Sequence, residues 1–492
     1  MELLQNVIQG FGQMANPGIL AFCVAGALIG VVFGAIPGLT ATTAIAMFTP
    51  MTFKMSLETS FAFLLGIYCG GYYAGSIPAI LIRTPGAPGN AATCLDGYPM
   101  CEQGKAGKAL SLSVVSSCIG GLFSSLMLFL FAPLVSSMAL RFGAPEYFAV
   151  ALMGMTCIIS VSSKDLVKGV AGALIGVVIS MIGMDSISGM PRFTFGSVRM
   201  MAGVSLIPAL IGFFALTEVF GKTEEIGRNK KMNVIDLSFH RPVFMEYWAV
   251  KWNLFKACVI GTVIGAIPGT GPTIASWLAY NEAKRTSKNP EQFGKGSSEG
   301  IIACEASNNA VTGGALIPLL TLGIPGDSVT AILLGALMLQ GLTPGPMMLM
   351  ENFGILAFFL AVLFVSNIVM LIAGLFGSKF FPYILAVPSK ILIPFVMVFC
   401  LVGTYASSGS FFDLKAVVAI GILGFALQKM KFTMPPLVLG FLLGPILENN
   451  FQRAMLASNN NPLVFVQSPL SVGILLLTAI LTVVLYRRQS AR

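Results

Sequence analysis

Apolar stretches alternate with short polar connections along this chain, and most are near the roughly 20 residues that a helix needs to span a bilayer. Each stretch therefore predicts a membrane segment. In the first part of the chain the stretches are residues 18–37, 60–82, 109–140, 146–161, 166–184 and 202–220. In the second part they are residues 255–279, 301–325, 328–350, 354–377, 391–407, 414–428, 434–447 and 471–486. Proline and glycine interrupt many of them, so we expect some to be half-spans or re-entrant hairpins.

One interrupted stretch occurs twice. Residues 34–43 read GAIPGLTATT and residues 265–273 read GAIPGTGPT, with a Pro-Gly pair at the same place in both. A break inside a membrane helix frees backbone NH and carbonyl groups, which is tolerated only where they face protein, water or a ligand. Corresponding breaks in two parts of one chain are typical of a transporter binding site. We call residues 36–40 the first break and residues 267–270 the second break.

Other landmarks recur in the same order after each break. They are Pro78, Pro85 and Asp165 in the first part, and Pro318, Pro325 and Asp413 in the second. The predicted fold is an all-α polytopic membrane protein with two homologous halves and an extra helix at the C-terminus. We assign residues 1–221 to the first transmembrane repeat, 222–256 to a cytoplasmic linker, 257–450 to the second repeat, and 451–492 to a C-terminal loop and the extra helix.

Basic residues predict the orientation of the two repeats. The connection from Lys222 to Lys256 carries seven Lys and Arg against four acidic residues, and three arginines follow the last span. Positive residues favour the cytoplasm, so both segments are expected inside. The first ten residues carry no Lys or Arg, which predicts an outside N-terminus and no cleavable signal peptide. Each repeat then crosses an odd number of times, and odd repeats in tandem have inverted topology.

Composition agrees with a membrane protein and argues against other classes. Of the 492 residues, 56% are hydrophobic and 10% are charged, and the mean hydropathy is +0.86. The net charge of +9 is spread over many loops, so no nucleic-acid partner is expected. One histidine and nine cysteines without a CxxC pair predict neither a cofactor nor a resident metal. No nucleophile and base, and no aspartate-rich metal motif, can be recognised, so we expect no enzymatic activity.

Four long motifs resemble a transporter family. They are FGAIPGLTATTAIAMFTPMTF (33–53), GSIPAILIRTPGAPGNAATCLDGYPM (75–100), CEASNNAVTGGALIPLLTLGIPGDSVTAILLGALMLQGLTPGP (304–346) and PPLVLGFLLGPILENNF (435–451). Together they look like the large membrane subunit of the tripartite tricarboxylate transporters. The resemblance implies a multi-pass carboxylate importer of the bacterial inner (cytoplasmic) membrane, driven by a Na⁺ or proton gradient. Its expected partners are a small four-helix membrane subunit, a periplasmic substrate-binding protein and membrane lipid.

A carboxylate substrate needs partial positive charge around it. We expect unpaired NH groups after the breaks, and hydroxyl or amide groups beside them, to supply it. The predicted substrate-binding residues are Gly38, Thr40, Thr42, Thr43, Arg83, Thr84, Gly86, Gly269, Thr270, Thr273, Asn308, Asn309 and Gly326. The alternative is that these glycines only allow close helix packing and that the hydroxyls bond their own helices.

Arg83 has two alternative roles. Its guanidinium offers a fork of donors that suits a carboxylate, but the same side chain at a helix end could anchor the protein at the cytoplasmic surface. Arg83 and Cys304 also depart from the family pattern, which predicts a substrate other than citrate. Asp96 lies in a turn-forming segment and is expected to be structural.

The predicted cation-coupling residues are Glu305, Ser307, Asn308 and Asp327. Neutral oxygens favour a transported Na⁺, whereas an acidic residue inside a span permits a proton. The alternatives are interhelical hydrogen bonds for the polar residues and a position at the membrane boundary for Glu305 and Asp327.

A stand-alone carboxylate carrier, or an anion channel without a periplasmic donor, would use the same broken helices. The presence or absence of the two partner proteins separates these possibilities from a tripartite importer.

Overall fold

Helices form nearly all of the protein, as its apolar stretches predict. The structure is a computed structural model and describes residues 2–162, 165–223, 244–387 and 389–490. Most of the predicted linker, with His240, lies outside these ranges. Within them, seven helical segments are long and apolar enough to cross a membrane: Pro17–Ala35, Leu57–Ile82, Ala106–Ala139, Leu206–Thr223, Phe353–Phe376, Lys390–Ser408 and Phe411–Lys429. The protein is a polytopic, helical membrane protein.

The first half contains eleven of the described α-helices. They are α1 (Glu2–Met14), α2 (Pro17–Ala35), α3 (Ala41–Phe48), α4 (Leu57–Ala74), α5 (Ser76–Ile82), α6 (Cys94–Glu102), α7 (Ala106–Ala139), α8 (Ala144–Ser162), α9 (Leu166–Ser180), α10 (Leu206–Leu210) and α11 (Thr217–Thr223). A π-helix, Ile211–Leu216, joins α10 to α11, and short 3₁₀ turns cover Thr49–Lys54, Pro88–Asn90 and Val198–Ala202. Two short antiparallel strands, β1 (Gly183–Met184) and β2 (Pro191–Arg192), pair Gly183 with Arg192.

The second half and the C-terminus contain the remaining described helices. They are α12 (Phe244–Ala249), α13 (Lys251–Ala266), α14 (Gly271–Thr286), α15 (Ser298–Leu322), α16 (Ser328–Leu339), α17 (Pro346–Glu351), α18 (Phe353–Phe376), α19 (Phe381–Leu385), α20 (Ser389–Ser408), α21 (Phe411–Lys429), α22 (Met434–Ala457), α23 (Val464–Gln467) and α24 (Pro469–Ser490). Short 3₁₀ turns cover Pro290–Gln292 and Ser378–Phe380.

Both predicted breaks are present. The first separates α2 from α3, and the second separates α13 from α14. Gly38 and Gly269 have φ angles of +76° and +81°, a conformation that glycine adopts without the steric cost of a Cβ. Two of the predicted stretches are divided by such interruptions: residues 255–279 belong to α13 and α14, and residues 328–350 belong to α16 and α17.

The two halves repeat one turn in detail. Arg83 ends α5 with φ +54°, and Gly323, 240 positions later, ends α15 with φ +69°. The next amide in each case donates to the carbonyl of an equivalent proline, from Thr84 to Pro78 and from Ile324 to Pro318, both at 3.2 Å. We call residues 83–90 the first hairpin turn and residues 323–327 the second hairpin turn.

Each hairpin turn lies against the helix that precedes the break of its own half. A Cβ on Gly86 would be 2.5 Å from the Gly34 carbonyl oxygen, and a Cβ on Gly326 would be 2.6 Å from the Gly265 carbonyl oxygen. Neither position can hold a side chain without a backbone shift. The equivalent contacts support two structurally similar halves, while their opposite orientation in the membrane stays a prediction.

The last helices of each half pack against the other half. A Cβ on Gly440 in α22 would be 2.0 Å from the Ala173 carbonyl oxygen in α9. On the other side, a Cβ on Gly212 in the π-helix would be 2.8 Å from Ile420 in α21. Small residues permit this close approach of helices, which in a membrane supplies much of the packing energy.

Helix α15 lies at the centre of the molecule and is buried along almost all of its length. A Cβ on Gly120 of α7 would be 2.0 Å from the Ala306 carbonyl oxygen of α15. A Cβ on Gly261 of α13 would be 2.3 Å from the Ser307 carbonyl oxygen on the same helix. The polar residues of α15 are therefore held between close-packed neighbours, where their contacts are well defined.

Candidate functional site

Two carboxylates lie inside the helical core. Glu305 is near the middle of α15 and is fully buried, while Asp327 directly precedes α16 with 3% of its surface exposed. Acidic side chains are costly within the apolar part of a membrane protein and therefore mark functional sites. Both predicted acidic residues are enclosed by protein.

Glu305 accepts hydrogen bonds from two elements of the first half. The Thr93 hydroxyl donates to it at 2.5 Å and the Asn90 amide at 3.4 Å, from the end of the first hairpin turn and the residues that follow it. The Ser117 hydroxyl of α7 donates at 3.2 Å. All of these donors are neutral, so they stabilise the carboxylate without cancelling its charge.

Asp327 connects the second hairpin turn to α4 of the first half. One carboxylate oxygen accepts the Thr330 backbone NH at 2.7 Å, which caps the start of α16. The other accepts the Tyr68 hydroxyl at 2.7 Å and also the Tyr72 hydroxyl. Asp327 therefore bridges the two halves through neutral donors.

Tyr72 joins the two carboxylates into one polar path. Its hydroxyl donates to Asp327, while its backbone carbonyl accepts the Asn308 amide at 3.0 Å and the Asn90 amide at 3.3 Å. Asn90 in turn donates to Glu305. The path from Glu305 to Asp327 therefore passes through buried residues of both halves.

The second break borders this path. A Cβ on Gly89 would be 2.5 Å from the Asn308 side-chain oxygen and 2.9 Å from Pro272, so the first hairpin turn lies against the start of α14. Gly271, with φ +64°, faces Asp327, since a Cβ there would be 3.9 Å from the aspartate Cβ. The first hairpin turn, the second break and the second hairpin turn thus converge on one site.

The first break is held by α11. Thr40 caps α3 by accepting the Thr43 backbone NH at 3.3 Å, and the Thr43 hydroxyl donates to Glu218. Lys222 of the same helix donates to the Pro37 carbonyl oxygen at 2.9 Å. One of the predicted hydroxyls, that of Thr43, therefore contacts an acidic residue that the sequence reasoning did not select.

Several predicted residues lie away from the polar path. Arg83 is exposed, and its guanidinium carbon is 5.7 Å from the centre of the Tyr98 ring. Thr84 is exposed too, and its hydroxyl donates to the Ile82 carbonyl oxygen at 3.3 Å. Thr42 and Thr273 are half-buried beside their breaks.

Other predicted residues make the helix-packing contacts offered as the alternative. The Thr270 hydroxyl donates to the Ile267 carbonyl oxygen at 2.9 Å, and the Ser307 hydroxyl donates to the Ala303 carbonyl oxygen at 2.9 Å. Asn309 lies against Met370, with its amide nitrogen 3.4 Å from the sulfur. These contacts use the donor groups of the three side chains and leave their oxygens able to accept.

Two glycine NH groups within the turns are paired, while the unpaired NH groups expected after the breaks stay a prediction. The Gly86 NH donates to the Gly75 carbonyl oxygen at 3.0 Å, and the Gly269 NH donates to the Gly326 carbonyl oxygen at 2.8 Å. The close packing of glycines lets the freed backbone groups find backbone partners. Their role at the site is therefore to permit the approach of the two segments.

Asp96 has the predicted structural role, but it lies in helix α6 and not in the turn-forming segment that the sequence indicated. One of its carboxylate oxygens accepts the backbone NH groups of Gly294, Gly296 and Ser297 at 2.8 to 3.0 Å, and the other accepts the Tyr280 hydroxyl at 2.9 Å. Three of these hydrogen bonds hold the loop before α15, and with it the start of the helix that carries Glu305, while the fourth joins Asp96 to α14.

Sequence reasoning missed the donors that surround the two acids. Tyr68 and Tyr72 are four residues apart in an apolar helix, a spacing that places both hydroxyls on one face. That pattern was a usable signal. Asn90 and Thr93 gave no such signal in the sequence, because they lie in a short connection whose position depends on the tertiary fold.

Comparison with known proteins identifies the family. The family model of the tripartite tricarboxylate transporter TctA family matches residues 20–439. The chain belongs to this family. The match covers both breaks and both hairpin turns, and it corresponds to the large membrane subunit that the motifs resembled.

One of two relatives matches the chain over nearly its full length, the other over less than half of it, and neither has a described activity. An uncharacterized 52.8 kDa protein of Agrobacterium vitis, in the TAR-I ttuC' 3' region, is 36% identical over 480 residues, which are 96% of this chain and 94% of that protein. An uncharacterized protein of the same organism, in the TAR-II ttuC' 3' region, is 37% identical over 215 residues, which are 44% of this chain and 89% of that protein. No solved structure matches the chain.

Membership in the TctA family identifies the chain as part of a transport system. TctA proteins belong to a transporter family, and their system also contains a small membrane subunit and a periplasmic binding protein. Buried acids, amides and hydroxyls between two halves are what a membrane transporter needs to bind a polar solute and its ions.

Proposed function

We propose that this protein is the membrane subunit that imports a tricarboxylate or related carboxylate through the bacterial inner membrane, driven by a Na⁺ or proton gradient. A periplasmic binding protein delivers the substrate, and a small four-helix subunit completes the membrane part. Membership in the TctA family supports the transport class, and the polar path supports the coupling.

The observation that carries the proposal is the pair of buried acids joined through Tyr72 and Asn90. Their hydrogen-bond partners in the described structure are neutral, so an anionic substrate that approached both ionised acids would be repelled. Binding of Na⁺ or a proton at Glu305 and Asp327 removes that repulsion. Cation binding then favours substrate binding, which is the linkage that a symporter requires.

Proteoliposomes that contain both membrane subunits, with the binding protein and labelled substrate outside, test the coupling. We expect uptake to need an inward Na⁺ or proton gradient and to be indifferent to ATP, because the sequence has no GxxxxGK[ST] phosphate loop. Ionophores that collapse each gradient separately identify the ion. Undiminished uptake with both gradients collapsed would exclude secondary transport.

We also propose that the halves have inverted topology, which places the two breaks about a pseudo-two-fold axis. Single cysteines at Gln5 and at Asn233, in a variant without the native cysteines, report the two sides of the membrane. An impermeant thiol reagent added to cells with a permeabilised outer membrane is expected to label position 5 only. Labelling of both positions from that side would contradict the odd number of crossings.

A further inference from the structure

Two charged residues, Glu218 and Lys222, contact the first break and the helix that follows it. Both lie on α11, one turn apart, within a segment long and apolar enough to span the membrane. Glu218 accepts the Thr43 hydroxyl, and Lys222 donates to the Pro37 carbonyl oxygen at 2.9 Å. The carboxylate therefore contacts the start of α3, and the ammonium contacts the end of the segment before it.

Side chains pack closely against the first break, both at Lys222 and at Thr43. A Cβ on Gly38 would be 2.8 Å from the Lys222 ammonium nitrogen, so the lysine lies directly against the backbone of the break. Thr43 is fully buried, and its hydroxyl oxygen is 3.1 Å from that of Thr40, which caps α3. A carboxylate at this point is stabilised by a hydroxyl donor and by the N-terminal end of a helix.

Among the described residues of the second half, the matching positions are uncharged. The sequence Pro208 to Phe213 recurs as Pro436 to Phe441, and the same shift places Ile446 at the position of Glu218 and Asn450 at the position of Lys222. The acidic residue nearest to them on α22, Glu448, pairs with Arg192 and not with a break. The charges at the first break therefore require an explanation beyond packing.

The helix that carries Glu218 is wound irregularly just before it. Residues Ile211–Leu216 form a π-helix, and the Thr217 hydroxyl donates to the Gly212 carbonyl oxygen, five residues earlier, at 3.0 Å. A π-turn changes the direction of the side chains that follow it, and such turns are frequent at functional sites. Here the next acidic side chain faces Thr43.

We propose that Glu218 occupies, in the empty transporter, the place of a substrate carboxylate at the first break. On binding, the substrate carboxylate displaces Glu218 from the Thr43 hydroxyl and pairs with the Lys222 ammonium, which offers three donors. Glu218 and the ligand have the same functional group, so one replaces the other without leaving the hydroxyl unpaired. The inference rests on the proposed carboxylate transport.

The proposal predicts substitutions of opposite effect on one helix. Glu218→Gln removes the competing charge, so the KM for the carboxylate should fall. We expect a fall of about tenfold, because the substrate no longer has to displace about one charged hydrogen bond. Lys222→Gln removes a ligand of the substrate, and KM should rise by about tenfold or more.

Wild-type cells that express all three components are first given a panel of labelled di- and tricarboxylates, and the best-accumulated compound is the probe.

Glu448→Gln on α22 is the matched control, since that residue pairs with Arg192 away from both breaks and should leave KM unchanged. Glu218→Asp, which keeps the charge but shortens the side chain, should also lower KM, and it serves if the glutamine variant does not accumulate in the membrane. A KM that rises or stays the same in both Glu218 variants would overturn the inference. Absence of uptake of every carboxylate by the wild type would instead overturn the proposed function, and the inference with it.

Discussion

Replacement of Asp327 by asparagine is expected to abolish carboxylate uptake while leaving the protein folded in the membrane. Asparagine has the same shape and keeps an oxygen for the Thr330 NH that caps α16. It loses the negative charge that accepts the Tyr68 and Tyr72 hydroxyls and that we propose binds the coupling cation. Loss of charge-assisted hydrogen bonds should lower the initial uptake rate by about 100-fold or more.

Asp165→Asn is the matched control for this prediction. Asp165 also caps a helix, accepting the Val167 NH at 3.0 Å at the start of α9, but it is exposed and lies outside the polar path. Its replacement should leave uptake within about twofold of the wild type, because a capping aspartate and asparagine are nearly equivalent. Uptake and membrane protein level are measured together. If Asp327→Asn transports normally, Asp327 only caps α16.

Glu305→Gln is expected to separate exchange from accumulation. The side chain keeps its size, but an amide cannot bind a proton or neutralise Na⁺ at physiological pH. The substrate should still exchange across the membrane without a gradient, since Asp327 and the first break are unchanged. Net accumulation should fall by about 100-fold, because the cation that binds at Glu305 no longer couples its gradient to the substrate.

Glu299→Gln on the same helix gives the comparison for Glu305. Glu299 accepts the Asn253 amide and the Ser287 hydroxyl at the start of α15, outside the polar path. We expect both exchange and accumulation to be retained there. Gradient-driven accumulation at the wild-type level in Glu305→Gln would remove this residue from the coupling site and leave Asp327 as the remaining buried acid of the path.

The three acids Glu305, Asp327 and Glu218 act at different places in the proposed cycle. Glu305 and Asp327 lie on one path between the halves, where added positive charge admits an anion. Glu218 lies at the first break, where it holds the position of the anion itself. In this cycle a cation therefore binds at Glu305 and Asp327, and a substrate carboxylate replaces Glu218 at the first break.

The sequence by itself determined the helices, both breaks and the two sets of matching landmarks. These features depend on residues close together in the chain: apolar runs form helices in a membrane, and Pro-Gly pairs end them whatever surrounds them. The Pro78 and Pro318 turns repeat for the same local reason. The sequence also selected Glu305, Asp327 and Asn308, because a polar residue inside an apolar stretch is visible without a structure.

Only the tertiary structure decided which groups meet. Tyr72 and Asp327 are 255 positions apart, and Thr43 and Glu218 are 175 apart, so no spacing rule connects them. Tertiary contacts also paired the Gly86 and Gly269 NH groups with carbonyls and left Arg83 exposed beside Tyr98. A local pattern shows that a backbone group is freed or a side chain is charged. Its partner depends on how distant helices pack, and that packing follows from small residues throughout both halves.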